Sequence, residues 1–346
     1  MIRFALIAAS TLGFFLTAAL GNLMVPLLRA FQDRQQKPEL PQQTTGRNDP
    51  DEEPERPAQP PTMGGLCLMV GVLAAVGVGW TAACVAEPQL LGTEGLFSTR
   101  LLIGLFGALL FGGVGLADDL ARIRRRSPLG LRRKTRLLLE AGAGAVVLVL
   151  LEAAGCLPTG LALPGLGYVE LGVLAPLVWE LGLVALAECV RISDGVDGLV
   201  CGTAFAAMLG LMLAETVLGW FPLAVFPAAL AGSLMAFLLW NFHPAKLGLG
   251  SVGSLFLAGA LGCGPLCIGW PDLTLPLGLP YWLEGGMVAL QIVVFRASKG
   301  RRQLFRTAPL HRWMEVRGSS PVQIFYTFCV VALLGTALAL QWAKIS

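Results

Sequence analysis

The chain has 346 residues, 55% of them hydrophobic and only 14% charged. A soluble domain of this length carries about a quarter charged residues, so a water-soluble globular protein is excluded and the bilayer is the expected solvent. The formal net charge of +3 is too small to select a partner, and nucleic acid is not expected among them.

In chain order, apolar runs of about 20 residues, the length that crosses a bilayer as a helix, fall at 3–28, 63–86, 97–117, 136–156, 169–190, 198–219, 221–241, 252–270, 275–295 and 321–342. The first run is longer than the apolar core of a signal peptide and reads as a retained helix. Residues 29–62 are polar, proline-rich and mixed in charge, the composition of a flexible loop. The fifth run contains Glu170 and Glu180, and the ninth is interrupted by Pro276 and Pro280. Neighbouring helices make such breaks tolerable. The expected fold is all-α: one polytopic membrane domain spanning 1–346 with about ten transmembrane helices. The eight cysteines lie mostly in apolar runs with no C-x-x-C pair, so they read as small core-filling thiols. There is no fixed-period repeat, no P-loop and no Rossmann glycine pattern.

The basic residues orient this layout. Of the 25 Lys and Arg, 22 fall in alternate connections, after spans one, three, five, seven and nine; Arg3, Arg100 and Lys344 are the remainder. Positive charge marks the cytoplasmic side, so those loops are expected in the cytoplasm and both termini outside.

The unusual polar groups gather in the same loops. Asp118 and Asp119 end the third apolar run, Asp194 and Asp197 lie in "RISDGVDGL", "HPAKLGLGSVGSL" follows span seven, and "FRTAPLHRWMEVRG" precedes span ten. Taken singly, the first pair reads as a helix end neutralised by Arg122 and Arg126, and D-G-V-D-G as a turn. Together they say more. Adjacent carboxylates repel unless a cation or proton compensates, and basic loops beside them suit a phosphorylated ligand. Mg²⁺ is commonly held by one or two carboxylates plus substrate phosphates.

Six ordered motifs, "PTMGG" (61–65), "ADDLARI…GLRRKTRL" (117–137), "SDGVDGL" (193–199), "GSVGSL" (250–255), "EGGMVALQ" (284–291) and "FRTAPLHRWMEVRG" (305–318), run almost end to end. They resemble the polyprenyl-phosphate N-acetylhexosamine-1-phosphate transferases; "PTMGG" and "APLH" favour the phospho-N-acetylmuramoyl-pentapeptide (translocase I) branch. The resemblance implies transfer of phospho-sugar from a UDP-linked precursor to undecaprenyl phosphate, with UMP released and Mg²⁺ required, at the bacterial cytoplasmic (inner) membrane. The implied partners are undecaprenyl phosphate, UDP-linked muramoyl pentapeptide and the lipid bilayer; a homodimer is compatible. By the same resemblance Asp118, Asp119 and His311 are catalytic, with Asp118 and Asp119 also handling metal and lipid phosphate. Asp194, Asp197, Arg122, Lys134, Arg191 and Arg312 would meet the nucleotide-linked substrate.

The chain departs from that pattern at specific positions. Ser251 stands where the family has its principal Mg²⁺-binding aspartate, so the implied metal set is Asp118, Asp119 and a weak Ser251. Gly248 replaces the aromatic residue that stacks on uracil, and Arg191 replaces an asparagine. His311-Arg312-Trp313 replaces three histidines, and Pro57 a lysine. Serine is a neutral, weaker ligand for a hard cation. Two readings stay open: a working transferase, of this or another UDP-linked N-acetylhexosamine, with Arg191 and Arg312 supplying positive charge; and a silent paralogue that binds lipid phosphate or a partner protein.

Overall fold

Among the described residues, ten helices of 17 residues or more stand where the ten apolar runs lie. The computed structural model describes residues 2–35, 60–92, 96–125, 130–163 and 167–345. The helices are α1 (Ile2–Gln35), α2 (Gly65–Ala86), α3 (Phe97–Arg125), α4 (Arg133–Ala153), α5 (Ala175–Ser193), α6 (Leu199–Val217), α7 (Val225–Asn241), α8 (Gly250–Cys267), a short α9 (Thr274–Leu277), α10 (Leu279–Ala297), a short α11 (Leu310–Val316) and α12 (Pro321–Ile345). Among the described residues, eight helices are long and apolar enough to cross a membrane; α10 makes a ninth with the segment before it, bent by 81° at the break. The tenth, α4, has the length but carries Arg136, Glu140 and Glu152. The fold is a polytopic all-α membrane protein.

Three boundaries differ from the sequence expectation. Residues 29–35 continue α1 rather than opening a loop, and 36–59, with Pro57, lie outside the described residues. Residues Gly167–Glu170 do not begin the fifth helix. They form strand β2, paired antiparallel with β1 (Gly160–Leu163), and the helix starts at Ala175 with Pro176 in its first turn, where a missing N–H costs nothing. Glu170 is thereby outside the span. Lastly, α3 runs on to Arg125. Charge does not end a helix, and Asp-to-Arg pairs at i+3 and i+4 support it.

The core is organised about α8, in which every residue from Ser251 to Cys267 is buried. It packs most extensively against α3. Lipid gives helices no hydrophobic drive to associate, so close backbone approach through small residues supplies the packing. At Gly115 an added Cβ would sit 2.1 Å from the Ser251 carbonyl oxygen, a backbone atom that cannot swing aside. Gly115→Ala should therefore lower unfolding stability by about 1–3 kcal/mol, the range for overpacking. An unchanged unfolding midpoint in detergent would contradict this account of the α3–α8 seam. The same seam brings Asp118 and Asp119 of α3 beside the first turn of α8.

Candidate active site

Asp118 and Asp119 lie inside α3, each 1% exposed, and all four of their oxygens are engaged. Asp119 caps α8: Ser251 N donates to Oδ1 at 3.2 Å and Val252 N to Oδ2 at 3.0 Å, a carboxylate at a helix start, where the dipole favours it. Gly250 makes this approach; it has φ +74°, and a Cβ there would lie 2.7 Å from Asp119 Oδ2. Asp118 accepts the Leu131 N–H on Oδ1 at 2.8 Å and the Ser251 hydroxyl on Oδ2 at 2.8 Å. Arg122 lies across both carboxylates, with Nη1 to Asp119 and Nη2 to Asp118 at 3.2 Å, and it also donates to the Ser251 hydroxyl at 3.2 Å. Arg126 lies outside the described residues.

Beside this cluster opens a cavity of about 530 Å³ lined by Arg122, Arg191, Asp194, Asp197, Gly248 and Ser251, with Thr62, Asn241 and Ser254 among the remaining wall residues. Four chain segments distant in sequence thus meet at one end of the bundle. The "PTMGG" stretch joins them through backbone bonds: Gly248 N donates to the Pro61 carbonyl at 2.8 Å and Gly64 N to the Gly248 carbonyl at 2.9 Å. Asp118 and Asp119 stand behind Arg122 and Ser251 rather than in the wall.

The second aspartate pair divides its work. Asp197 Oδ2 is bound by His243 Nδ1 at 3.0 Å and accepts the Ala245 N–H at 3.1 Å, which ties the turn to the "HPAK" loop. Asp194 has no side-chain partner among the described residues and opens to the cavity. Desolvation by surrounding protein, with Asp119 and Asp197 adding like charge against the opposing Arg122, pushes its pKa up to about 7. Arg191 meets Glu188 side-on, Nε to Oε1 at 3.2 Å and Nη2 to Oε2 at 3.0 Å.

The remaining expected residues lie off the wall. His311 is 4% exposed; its Nδ1 lies 3.1 Å from Glu284 Oε1, which also accepts the His311 N–H, while the Leu310 N–H goes to Oε2. Its Nε2 faces Gly195, where a Cβ would come within 2.5 Å, so the imidazole supports the D-G-V-D-G turn from beneath. Lys134 and Arg312 are exposed and outside the lining, and Trp313 stacks under Arg317 at 3.6 Å. Residues not singled out from sequence are Glu188, Glu284, His243 and Asn241. A carboxylate inside an apolar helix was the available signal for the first two.

The implied Mg²⁺ set can be tested against this geometry. Ser251 spends its hydroxyl proton on Asp118, Arg122 already supplies positive charge to both aspartates, and no three His, Cys, Asp or Glu side chains among the described residues are grouped to hold a metal ion. Asp118, Asp119 and Ser251 do not fit a resident Mg²⁺. All eight cysteines are free, six of them buried.

Residues 101–268, from α3 through α8 and including both aspartate pairs, match the family model described as glycosyl transferase family 4. The chain is 34% identical to a phospho-N-acetylmuramoyl-pentapeptide-transferase of Synechococcus sp. (strain JA-3-3Ab), covering 94% of this chain and 88% of that one. The chain belongs to this transferase family. A relative of the same description in Synechococcus sp. (strain RCC307) is 37% identical over 81% of this chain and 75% of its own. Another in Halalkalibacterium halodurans is 29% identical over 98% of each. The region matched by the family model thus contains α3, α8 and the two loops that border the cavity of this phospho-N-acetylmuramoyl-pentapeptide-transferase family member.

Proposed function

We propose that the protein transfers phospho-N-acetylmuramoyl-pentapeptide from its UDP-linked precursor to undecaprenyl phosphate, forming lipid I for peptidoglycan. The observation that carries this reading is the convergence of Arg122, Arg191, Asp194 and Asp197 on one cavity at the end of an otherwise apolar bundle, in a chain that matches its relatives over nearly its whole length. A phosphate oxygen of the lipid attacks the sugar-bearing phosphorus of the diphosphate; the bond from that phosphorus to the bridging oxygen breaks, and UMP leaves. The lipid reaches the cavity from the bilayer and the nucleotide sugar from the cytoplasm.

Arg122 and Arg191 meet the diphosphate charge, because guanidinium forks pair with phosphate oxygens. Asp118 and Asp119 fix Arg122 and the start of α8 behind the cavity wall, and the role assigned to them in handling the lipid-phosphate proton is carried over from the family resemblance. Asp194 and Asp197 shape the nucleotide side, His311 supports their turn, and Lys134 and Arg312, exposed and outside the lining, contribute positive charge to the protein surface. Mg²⁺ is implied by the family, but Asp118, Asp119 and Ser251 as they stand, paired to Arg122 and to one another, do not fit it, and no step here is routed through it. A bacterial inner-membrane location is implied by the family resemblance, and the alternation of basic residues supports an orientation with the aspartate loops cytoplasmic and both termini outside. A cytoplasm-dependent reporter fused after the last residue should stay silent; strong signal there would invert the layout.

Substrate choice is tested by offering the purified protein, in bilayers containing undecaprenyl phosphate, UDP-muramoyl pentapeptide and UDP-N-acetylglucosamine side by side. The lipid-linked product should carry the muramoyl pentapeptide. Product carrying only N-acetylglucosamine would replace this reading with the other sugar.

A further inference from the structure

Glu188 sits in the last turns of α5, and no role given above uses it. Its carboxylate collects N–H groups from two guanidiniums. Arg136 of α4 donates Nε and Nη2 to Oε1 at 3.1 and 3.0 Å; Arg191 donates Nε to Oε1 at 3.2 Å and Nη2 to Oε2 at 3.0 Å. Side-chain exposure rises from 7% at Arg136 to 15% at Glu188 and 28% at Arg191. The chain of contacts thus runs from the interior to the cavity wall. Behind it, Arg136 is also 3.5 Å from the fully buried Glu140.

Two features make this arrangement more than a helix-to-helix tie. An arginine carries five N–H donors in a rigid fork. Arg191 gives Nε and Nη2 to Glu188, so its Nη1 edge has no partner among the described residues, on a side chain that lines the cavity. That edge matches two oxygens of a phosphate. Moreover, Glu188 divides its charge between Arg136 and Arg191, while Glu140 pairs with Arg136 on the interior side, so Arg191 is held by a carboxylate it does not have to itself. A guanidinium already held in place loses less rotamer freedom when a ligand arrives.

We infer that Glu188 is a positioning residue that holds the Arg191 guanidinium against the cavity, where its free edge receives the diphosphate of a nucleotide-linked substrate. This rests on reading the cavity as the nucleotide site. The spacing of three residues places Glu188 and Arg191 on one face of α5, and the buried Arg136 keeps the carboxylate from turning away.

The experiment is a double-mutant cycle on the full chain in lipid bilayers, with UDP as the probe and its Kd measured by titration calorimetry. Glu188→Gln and Arg191→Asn should each weaken UDP binding by about tenfold or more, the cost of losing a charge-assisted contact. The double variant should bind no worse than Arg191→Asn alone, because Glu188 acts through Arg191. A merely structural Glu188 would lower affinity by the same factor with and without Arg191→Asn, and that result overturns the inference. So does unchanged UDP binding in Glu188→Gln, or no UDP binding by the unaltered chain. If Glu188→Gln fails to fold, Glu188→Asp, which keeps the charge but shortens the reach, takes its place in the same cycle with the same criteria. UDP binding that follows the cycle in a protein that transfers nothing would remove the transferase reading and leave the inference standing. Transfer whose KM is untouched by Glu188→Gln, or by Glu188→Asp where that variant takes its place, would do the reverse.

Discussion

Asp118→Asn and Asp119→Asn should each reduce UMP release by about 10²- to 10⁴-fold, the range for removing a group that moves a proton in the transition state. The structure makes the two losses unequal in kind. Asp119 holds the first turn of α8 through the Ser251 and Val252 N–H groups as well as Arg122, so its amide should also lower the unfolding midpoint. Asp118 is held by one backbone N–H, a hydroxyl and Arg122, and an amide there can still accept the Leu131 N–H. Asp118→Asn should therefore lose activity with the smaller loss of stability. Rates are read from UMP release in bilayers and stability from thermal unfolding of the same samples. Equal, non-zero release from both variants and the unaltered protein would refute any role of the pair in transfer.

Ser251→Asp should turn the site into one that responds to Mg²⁺. It places a third carboxylate beside Asp118 and Asp119, with which, among the described residues, Arg122 alone is in ion-pair contact. Like charges at this range destabilise one another unless a cation intervenes. Without Mg²⁺ the variant should unfold below the unaltered chain. With Mg²⁺ at a hundred times its dissociation constant it should recover about 2.7 kcal/mol by mass action. The unaltered chain, whose serine gives its proton to Asp118, should show a much smaller Mg²⁺-dependent shift. Thermal unfolding over a Mg²⁺ titration reads both. Identical responses from the two proteins would remove Ser251 as the reason the metal set does not fit.

Much of the fold was legible because the bilayer enforces it. An apolar run of fixed length has few alternatives to a helix, so all ten runs correspond to helices, and the run broken at Pro276 and Pro280 became a bend. Errors fell where that constraint ends. Hydropathy stops at Ala117 although the helix continues to Arg125, because i+4 ion pairs sustain a helix that apolarity no longer requires. The β1–β2 hairpin was hidden because Val169 runs without a turn signal into the apolar stretch that follows, so the end of β2 reads as the start of the fifth span.

The site was legible in part for a different reason. Asp118, Asp119, Asp194 and Asp197 stand out by charge in a chain otherwise poor in it, and Arg122, Arg191 and Ser251 were found beside them in the folded protein. Contacts that bridge distant segments carry no periodicity. Nothing in the spacing tells that His243 binds Asp197 from the loop after α7, or that Ser251 donates to Asp118 across the α3–α8 seam. His311 shows the same limit: its motif drew notice, yet its partner is Glu284 and its place is beneath the turn rather than in the cavity wall.

Phospho-sugar transfer by this chain is read most simply as UMP release by the unaltered protein in bilayers. The samples hold undecaprenyl phosphate and UDP-linked muramoyl pentapeptide, with protein-free bilayers as the blank. The account predicts release above the blank, matched mole for mole by lipid-linked muramoyl pentapeptide. No release, in a folded protein that still binds undecaprenyl phosphate, would contradict it and mark the chain as a silent member of its family.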